Sequence, residues 1–180
     1  MQIVKIYSLI ILSSLSLFLE TYPSENLNSI DQEDILIGDL EISEIENFNW
    51  FQKNYKSYSP KKETIDAIHK QLQQKDIRIE IYFGTWCSDS QIEVPSIIKL
   101  MELVNFDTSK IKLIGVNRDK VVPNVDEAKA KQLNVQMVPT FIIYKNGKEL
   151  NRYVEFAQES LEQDLLSILK EEGYKHSYKF

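Results

Sequence analysis

The sequence predicts an α/β fold: a four-stranded mixed sheet flanked by helices, with an N-terminal helical extension. Three observations carry this reading. From Ile77 onward, short apolar strand-like runs alternate with helix-like runs. Asn146-Gly147 separates two strand-like segments, the strongest short hairpin signal. Ahead of both, Phe48, Phe51, Tyr55 and Tyr58 recur at three- and four-residue steps, the period of one helix face.

In chain order, Lys5 precedes an apolar run from Ile6 to Leu19, interrupted only by serines. That run is short for a membrane span and suits a signal-peptide core, so residues 1–20 read as signal-peptide-like. No clean small-x-small cleavage site follows, and an uncleaved N-terminal membrane anchor is the alternative. The expected location is exported, periplasmic or cell envelope, with secretion as the variant. Residues 21–45 are acidic, with no Lys or Arg between Lys5 and Lys53, and read as a solvated linker; Ile35-Leu36-Ile37-Gly38 is a weak edge-strand signal. The domain is expected over 46–180, with its core at 77–173.

Ser43-Glu44-Ile45-Glu46 has the pattern of a capping box ahead of the aromatic helix, from whose stripe Trp50 lies off. Ser59-Pro60 reads as N-cap and first residue of a second helix, with Ile65, Ile68 and Leu72 inward and His69 at the boundary. Then follow a strand (Ile77–Phe83), a helix containing Pro95 (Gln91–Val104), a strand (Ile111–Val116), a helix (Val125–Leu133) and the hairpin strands Thr140–Tyr144 and Glu149–Val154. A final helix starts at the capping box Ser160-Leu161-Glu162-Gln163 and stops near Gly173. The order contains two βαβ connections, and the first two strands are expected to pair in parallel. Ligands of such sheets bind beyond the carboxyl ends of the parallel strands, here at 84–90 and 117–120.

Composition narrows the chemistry. A net charge of −6 argues against a general nucleic-acid binder, which needs a basic face. One cysteine excludes an internal disulfide and a Cys-rich zinc site, and no Gly-rich phosphate loop is present. Neither metal nor cofactor is expected. The cysteine itself sits in Trp86-Cys87-Ser88-Asp89-Ser90, between a strand and a helix. A buried structural cysteine belongs on an apolar face; this one is at a polar turn. Helix-end amides and the dipole there favour thiolate over thiol, and the thiolate is the nucleophile of disulfide exchange. A hydroxyl hydrogen bond from Ser90 would add to this, and the charge of Asp89 would oppose it. Val138-Pro139, just before the third strand, reads by itself as a loop breaker.

Together these residues resemble the thioredoxin-like family over about Ile77 to Gly173: Trp86-Cys87-x-x-Ser90, Pro95 within the following helix, Val138-Pro139-Thr140-Phe141 opening a strand, and Tyr144-Lys145-Asn146-Gly147-Lys148 at the hairpin. The Trp-Cys-Ser-Asp-Ser form and Asn117-Arg118-Asp119-Lys120 look like a branch found in bacterial envelopes. The resemblance implies a thioredoxin-like fold, a cis Pro139 beside Cys87, a Val138 backbone that pairs with substrate, and Trp86 on the rim. It implies catalysis at Cys87, with Trp86, Val138 and Pro139 around the bound substrate; Ser90 joins the candidate catalytic residues through its hydroxyl, and Arg118, at the same sheet edge as Cys87, joins the candidate substrate-binding residues as a group that favours the thiolate or binds an acidic substrate group. Arg118 otherwise reads as a surface salt bridge to Asp119 or Glu127, and Arg152 and Glu155 as structural or surface residues.

Two departures from the family pattern matter. Ser90 stands where a second cysteine would be. Ile81 stands where many thioredoxins hold a buried acid, and strand alternation turns Glu80 to the opposite face. The expected function is therefore thiol–disulfide oxidoreduction or isomerisation through one nucleophilic cysteine. Its partners are disulfide- or thiol-containing proteins or small thiols and an external thiol donor. The alternative is a non-catalytic peptide- or protein-binding module. A one-cysteine peroxidase lacks its Pro-x-x-x-Thr-x-x-Cys arrangement here.

Overall fold

A computed structural model of the chain describes residues 35–179. The signal-peptide-like segment and residues 21–34 of the acidic stretch lie outside the described residues. The sheet has five strands: β1 (Gly38–Leu40), β2 (Ile77–Phe83), β3 (Ile111–Gly115), β4 (Thr140–Lys145) and β5 (Lys148–Val154). Their spatial order is β1-β3-β2-β4-β5. β2 and β3 pair in parallel, as expected; the other pairs, β2–β4 included, are antiparallel, so only the first of the two βαβ connections is a parallel crossover.

The fifth strand is β1, the correction to the expected four. The acidic stretch was expected to remain a linker to residue 45, yet its end forms β1 and a short helix α1 (Ile42–Ile45). Gly38 to Leu40 pairs with Gly115 to Leu113. Gly115 makes the approach possible, because a Cβ there would clash with the Leu36 carbonyl oxygen.

The helices are α2 (Asn49–Ser57), α3 (Lys62–Gln73), α4 (Ser88–Leu103), α5 (Glu127–Leu133) and α6 (Leu161–Lys170). Two helix starts differ from expectation. The capping box before the aromatic helix is formed by Glu41 and Glu44 around α1, not by Ser43 and Glu46. α3 begins after Lys61 rather than at Ser59-Pro60, because Lys99 Nζ on α4 takes the Tyr58 carbonyl at 2.7 Å and the chain stays extended through Lys61. The Ser160 cap is present: Ser160 Oγ accepts from Gln163 N–H at 3.3 Å. At the hairpin Asn146 and Gly147 both have positive φ, 53° and 75°, the geometry that twists with the strands.

β2 is central, and its alternation sorts the two faces. Ile77, Ile79, Ile81 and Phe83 are buried in the main core with Val94, Ile97, Ile98 and Met101 of α4 and Leu165 and Leu169 of α6. Trp50 and Phe51 of α2 join that core, so Trp50 is interior despite lying off the aromatic stripe. The opposite face carries a smaller cluster of Tyr82, Ile114, Val122, Leu133, Ile142 and Tyr144.

Pro95 leaves the Gln91 carbonyl without its usual i+4 donor. Asn54 of α2 supplies one, Nδ2 to Gln91 O at 2.8 Å. The aromatic extension is thereby fastened to the helix that follows the cysteine, at the turn that Pro95 interrupts.

Candidate active site

β2 carries the chain to the carboxyl end of the sheet, where residues 84–87 turn it into α4. Cys87 N–H donates to Gly84 O at 3.0 Å, and Cys87 O accepts from Gln91 N–H at 2.9 Å. Cys87 is the N-cap of α4, with extended backbone (φ −97°, ψ 123°). Gly84 is required here: a Cβ would stand 2.5 Å from Trp86 Cε2, so glycine lets the indole lie against the backbone. The indole Nε1 donates to Val116 O at 3.0 Å and pins the turn to the end of β3. Gln91 Nε2 donates to Thr85 O at 2.7 Å from inside the helix.

Across from this turn, Val138–Pro139 is a cis peptide leading into β4. Cys87 Sγ–H donates to Val138 O at 3.3 Å. The sulfur is half-buried, while Val138 and Pro139 are buried. Two segments about fifty residues apart in sequence are brought together at the sulfur.

Ser90 departs from expectation. It is fully buried, and its Oγ accepts from Gly84 N–H at 3.2 Å, while the sulfur's own bond goes to Val138 O. Ser90 therefore braces the turn. Arg118 is exposed, and its guanidinium carbon lies 5.3 Å from the Trp86 ring centroid. Among the described residues it forms no ion pair with Asp119 or Glu127. Arg152, as expected, is structural: it makes a bidentate pair with Glu149 (2.6 and 2.7 Å) and donates to Leu133 O at 2.8 Å.

Sequence reasoning missed two carboxylates. Glu155 read as a surface residue, yet its N–H donates to Pro139 O at 2.7 Å, which seats it beside the cis peptide. It is held there at φ 65°, a left-handed conformation uncommon for a long side chain. Burial raises its carboxyl above the usual range, and the nearby charge of Asp89 adds to this, while Lys120 opposes it. A residue that follows a strand gives no sequence sign of which loop it meets. Glu93 lies six residues beyond Cys87 on α4, about 1.7 turns. Burial pushes its carboxyl up to about 7; Asp89, Asp164 and Glu162 push the same way, and the Tyr153 phenol opposes.

Glu80 confirms the alternation argument. It faces the smaller cluster and accepts from Tyr82 Oη (2.9 Å), Tyr144 Oη (2.8 Å) and Arg78 (2.5 Å). Ile81 is fully buried on the cysteine's side of β2. Among the described residues no group of three His, Cys, Asp or Glu side chains stands in a metal-binding arrangement.

With this geometry in view, the comparison with known proteins is decisive on one point. A family model described as thioredoxin matches residues 40–167. The chain belongs to the thioredoxin family. Thioredoxin Asp f 28 of Aspergillus fumigatus is 30% identical over 87 residues, 48% of this chain and 72% of that protein. Thioredoxin Y1, chloroplastic, of Arabidopsis thaliana is 28% identical over 94 residues, 52% of this chain and 50% of that protein. The chain thus spans about half the length of that chloroplastic relative. Among solved structures, a protein of unknown function from Pseudomonas aeruginosa superposes with a TM-score of 0.53 at 14% identity, covering 77% of this chain and 95% of that one, a likeness of fold alone.

Proposed function

We propose that this thioredoxin-family chain performs thiol–disulfide exchange through Cys87 alone, by forming and releasing mixed disulfides. The observation that carries the reading is the half-buried sulfur at the start of α4, 3.3 Å from Val138 O beside cis Pro139. Attack by the Cys87 thiolate on a substrate disulfide forms a Cys87–substrate bond and expels the other substrate sulfur as a thiolate, which takes up a proton. Ser90 has no sulfur with which to displace the substrate again. Release therefore needs a thiol from the substrate itself or from an external donor, which favours isomerisation or removal of a thiol cap over net reduction. Trp86 and Arg118 form one wall of the entrance, and the Val138 backbone offers a hydrogen-bonding edge.

The test is a mixed-disulfide turnover assay on three forms of the full chain. Wild type is expected to turn over and to yield a covalent Cys87 adduct by mass spectrometry. Cys87→Ser is expected to lose both, and residual turnover there overturns the thiol mechanism. Ser90→Cys is expected to add dithiol reductase activity. A variant whose two cysteines fail to bridge contradicts the assigned geometry.

A further inference from the structure

Pro95 interrupts α4 just beyond the thiol. It has no amide to give the Gln91 carbonyl, so that rung of the helix ladder is missing. Residues 88–91, the turn capped by Cys87, lie on one side of the interruption, and the stretch to Leu103 lies on the other. Gln91 joins this turn to the thiol. Its N–H donates to Cys87 O at 2.9 Å, and its side chain donates to Thr85 O at 2.7 Å.

α2 and the residue that ends it grip α4 on both sides of the interruption. On the thiol side, Asn54 Nδ2 donates to Gln91 O at 2.8 Å. On the far side, Lys99 Nζ donates to Tyr58 O at 2.7 Å and to Lys56 O at 3.4 Å, and Tyr55 Oη donates to Glu102. α2 is itself anchored elsewhere, because Trp50 and Phe51 are buried in the main core.

We infer that α2 is a splint across the Pro95 interruption and that Asn54 is a positioning residue for Cys87. A helix that lacks a rung bends at that point, and the bend is set by whichever donor takes over the freed carbonyl. Here the donor comes from a separate, anchored helix, so the turn that seats the sulfur 3.3 Å from Val138 O is fixed in relation to α2. An acceptor screened from water and stripped of its donor destabilises its own turn, and such a turn opens locally. The inference deepens the exchange reading above, on which its effect on turnover rests. It names a residue that acts on the thiol without touching it.

The experiment measures hydrogen exchange at the amides of Cys87 and Gln91 in the full chain, alongside turnover in the mixed-disulfide assay. Asn54→Ala is expected to speed exchange at both amides by about tenfold and to lower turnover by a similar factor, with Leu100 and Met101 beyond the interruption unchanged. Asn54→Asp keeps the shape and lacks the donor, so it should act at least as strongly. In a Pro95→Ala background the restored amide serves the Gln91 carbonyl, and Asn54→Ala should then change exchange by less than about twofold. Ser160→Ala, which removes the α6 cap, should leave the Cys87 turn as it is. Unchanged exchange in Asn54→Ala overturns the inference. So does a milder effect of Asn54→Asp, a full effect that persists with Pro95→Ala, or the same change in Ser160→Ala. Absence of turnover in wild type overturns the exchange reading alone, and the amide measurement still decides the splint.

Discussion

Glu80 on β2 and Glu93 on α4 are both partly buried carboxylates, and their surroundings push them in opposite directions. Burial alone would raise Glu80, but hydrogen bonds from Tyr144, Tyr82 and Arg78 outweigh it and hold the carboxyl below its usual range. Glu93 is pushed up to about 7 by burial, with Asp89, Asp164 and Glu162 adding to it. The Tyr153 phenol opposes the shift, while its buried hydroxyl has no partner within ordinary hydrogen-bond geometry among the described residues. The difference lies in satisfaction rather than depth. A carboxylate that is the acceptor for three donors is held below its usual range, whereas one buried with a single opposing phenol is raised to about 7.

The largest effect should come from breaking the satisfied site. Glu80→Ala leaves two phenols and a guanidinium without their acceptor. It should cost about 2–4 kcal/mol in urea unfolding at neutral pH. A loss well under 1 kcal/mol would show that the three bonds do not set the behaviour of Glu80. Because its folded value is depressed, Glu80 contributes stability above its unfolded value, and that contribution is lost as pH falls through the folded one. The variant should therefore show a shallower acid-side decline.

Glu93 has the opposite sign. Its folded value is raised, so its contribution is fully present below the unfolded value and is lost as pH rises through about 7. Wild type should lose on the order of 2 kcal/mol from this source between pH 5 and 8, and Glu93→Gln should flatten that slope. An unchanged slope in the variant would remove Glu93 as its source. The smallest effect is expected for Tyr153→Phe. Removing an unpartnered hydroxyl should change stability by less than about 1 kcal/mol at pH 5. It also takes away the one group that eases the Glu93 charge, so the Glu93 midpoint should move up in a pH profile or a carboxyl NMR titration.

Several site features were legible because they are local. The strand-to-helix turn at Cys87 follows from an apolar run ending in Gly84-Thr85-Trp86. The hairpin follows from Asn146-Gly147, the α6 start from Ser160, and the outward turn of Glu80 from a period of two. Two of the missed features, β1 and Glu155, are contacts between distant segments, and the third is the direction one buried hydroxyl takes within a turn. β1 has three residues, too few for a period, and its pairing depends on Gly115 allowing Leu36 close. Glu155 gained its place only when β5 delivered it to Pro139. Ser90 was expected to face the sulfur, and the fold turns it to the Gly84 amide instead.

The sequence by itself determined which residue types stand at the ends of the strands: one thiol at a helix start, a serine three residues on, a proline ahead of the third expected strand. Those follow from covalent order and local periodicity. Tertiary structure alone decided what meets the thiol. The Cys87–Val138 contact, the Arg118–Trp86 contact and the Glu155–Pro139 bond arise where three loops converge at one sheet edge. Convergence of that kind is set by strand order and packing, and neither is written in the spacing of any one segment.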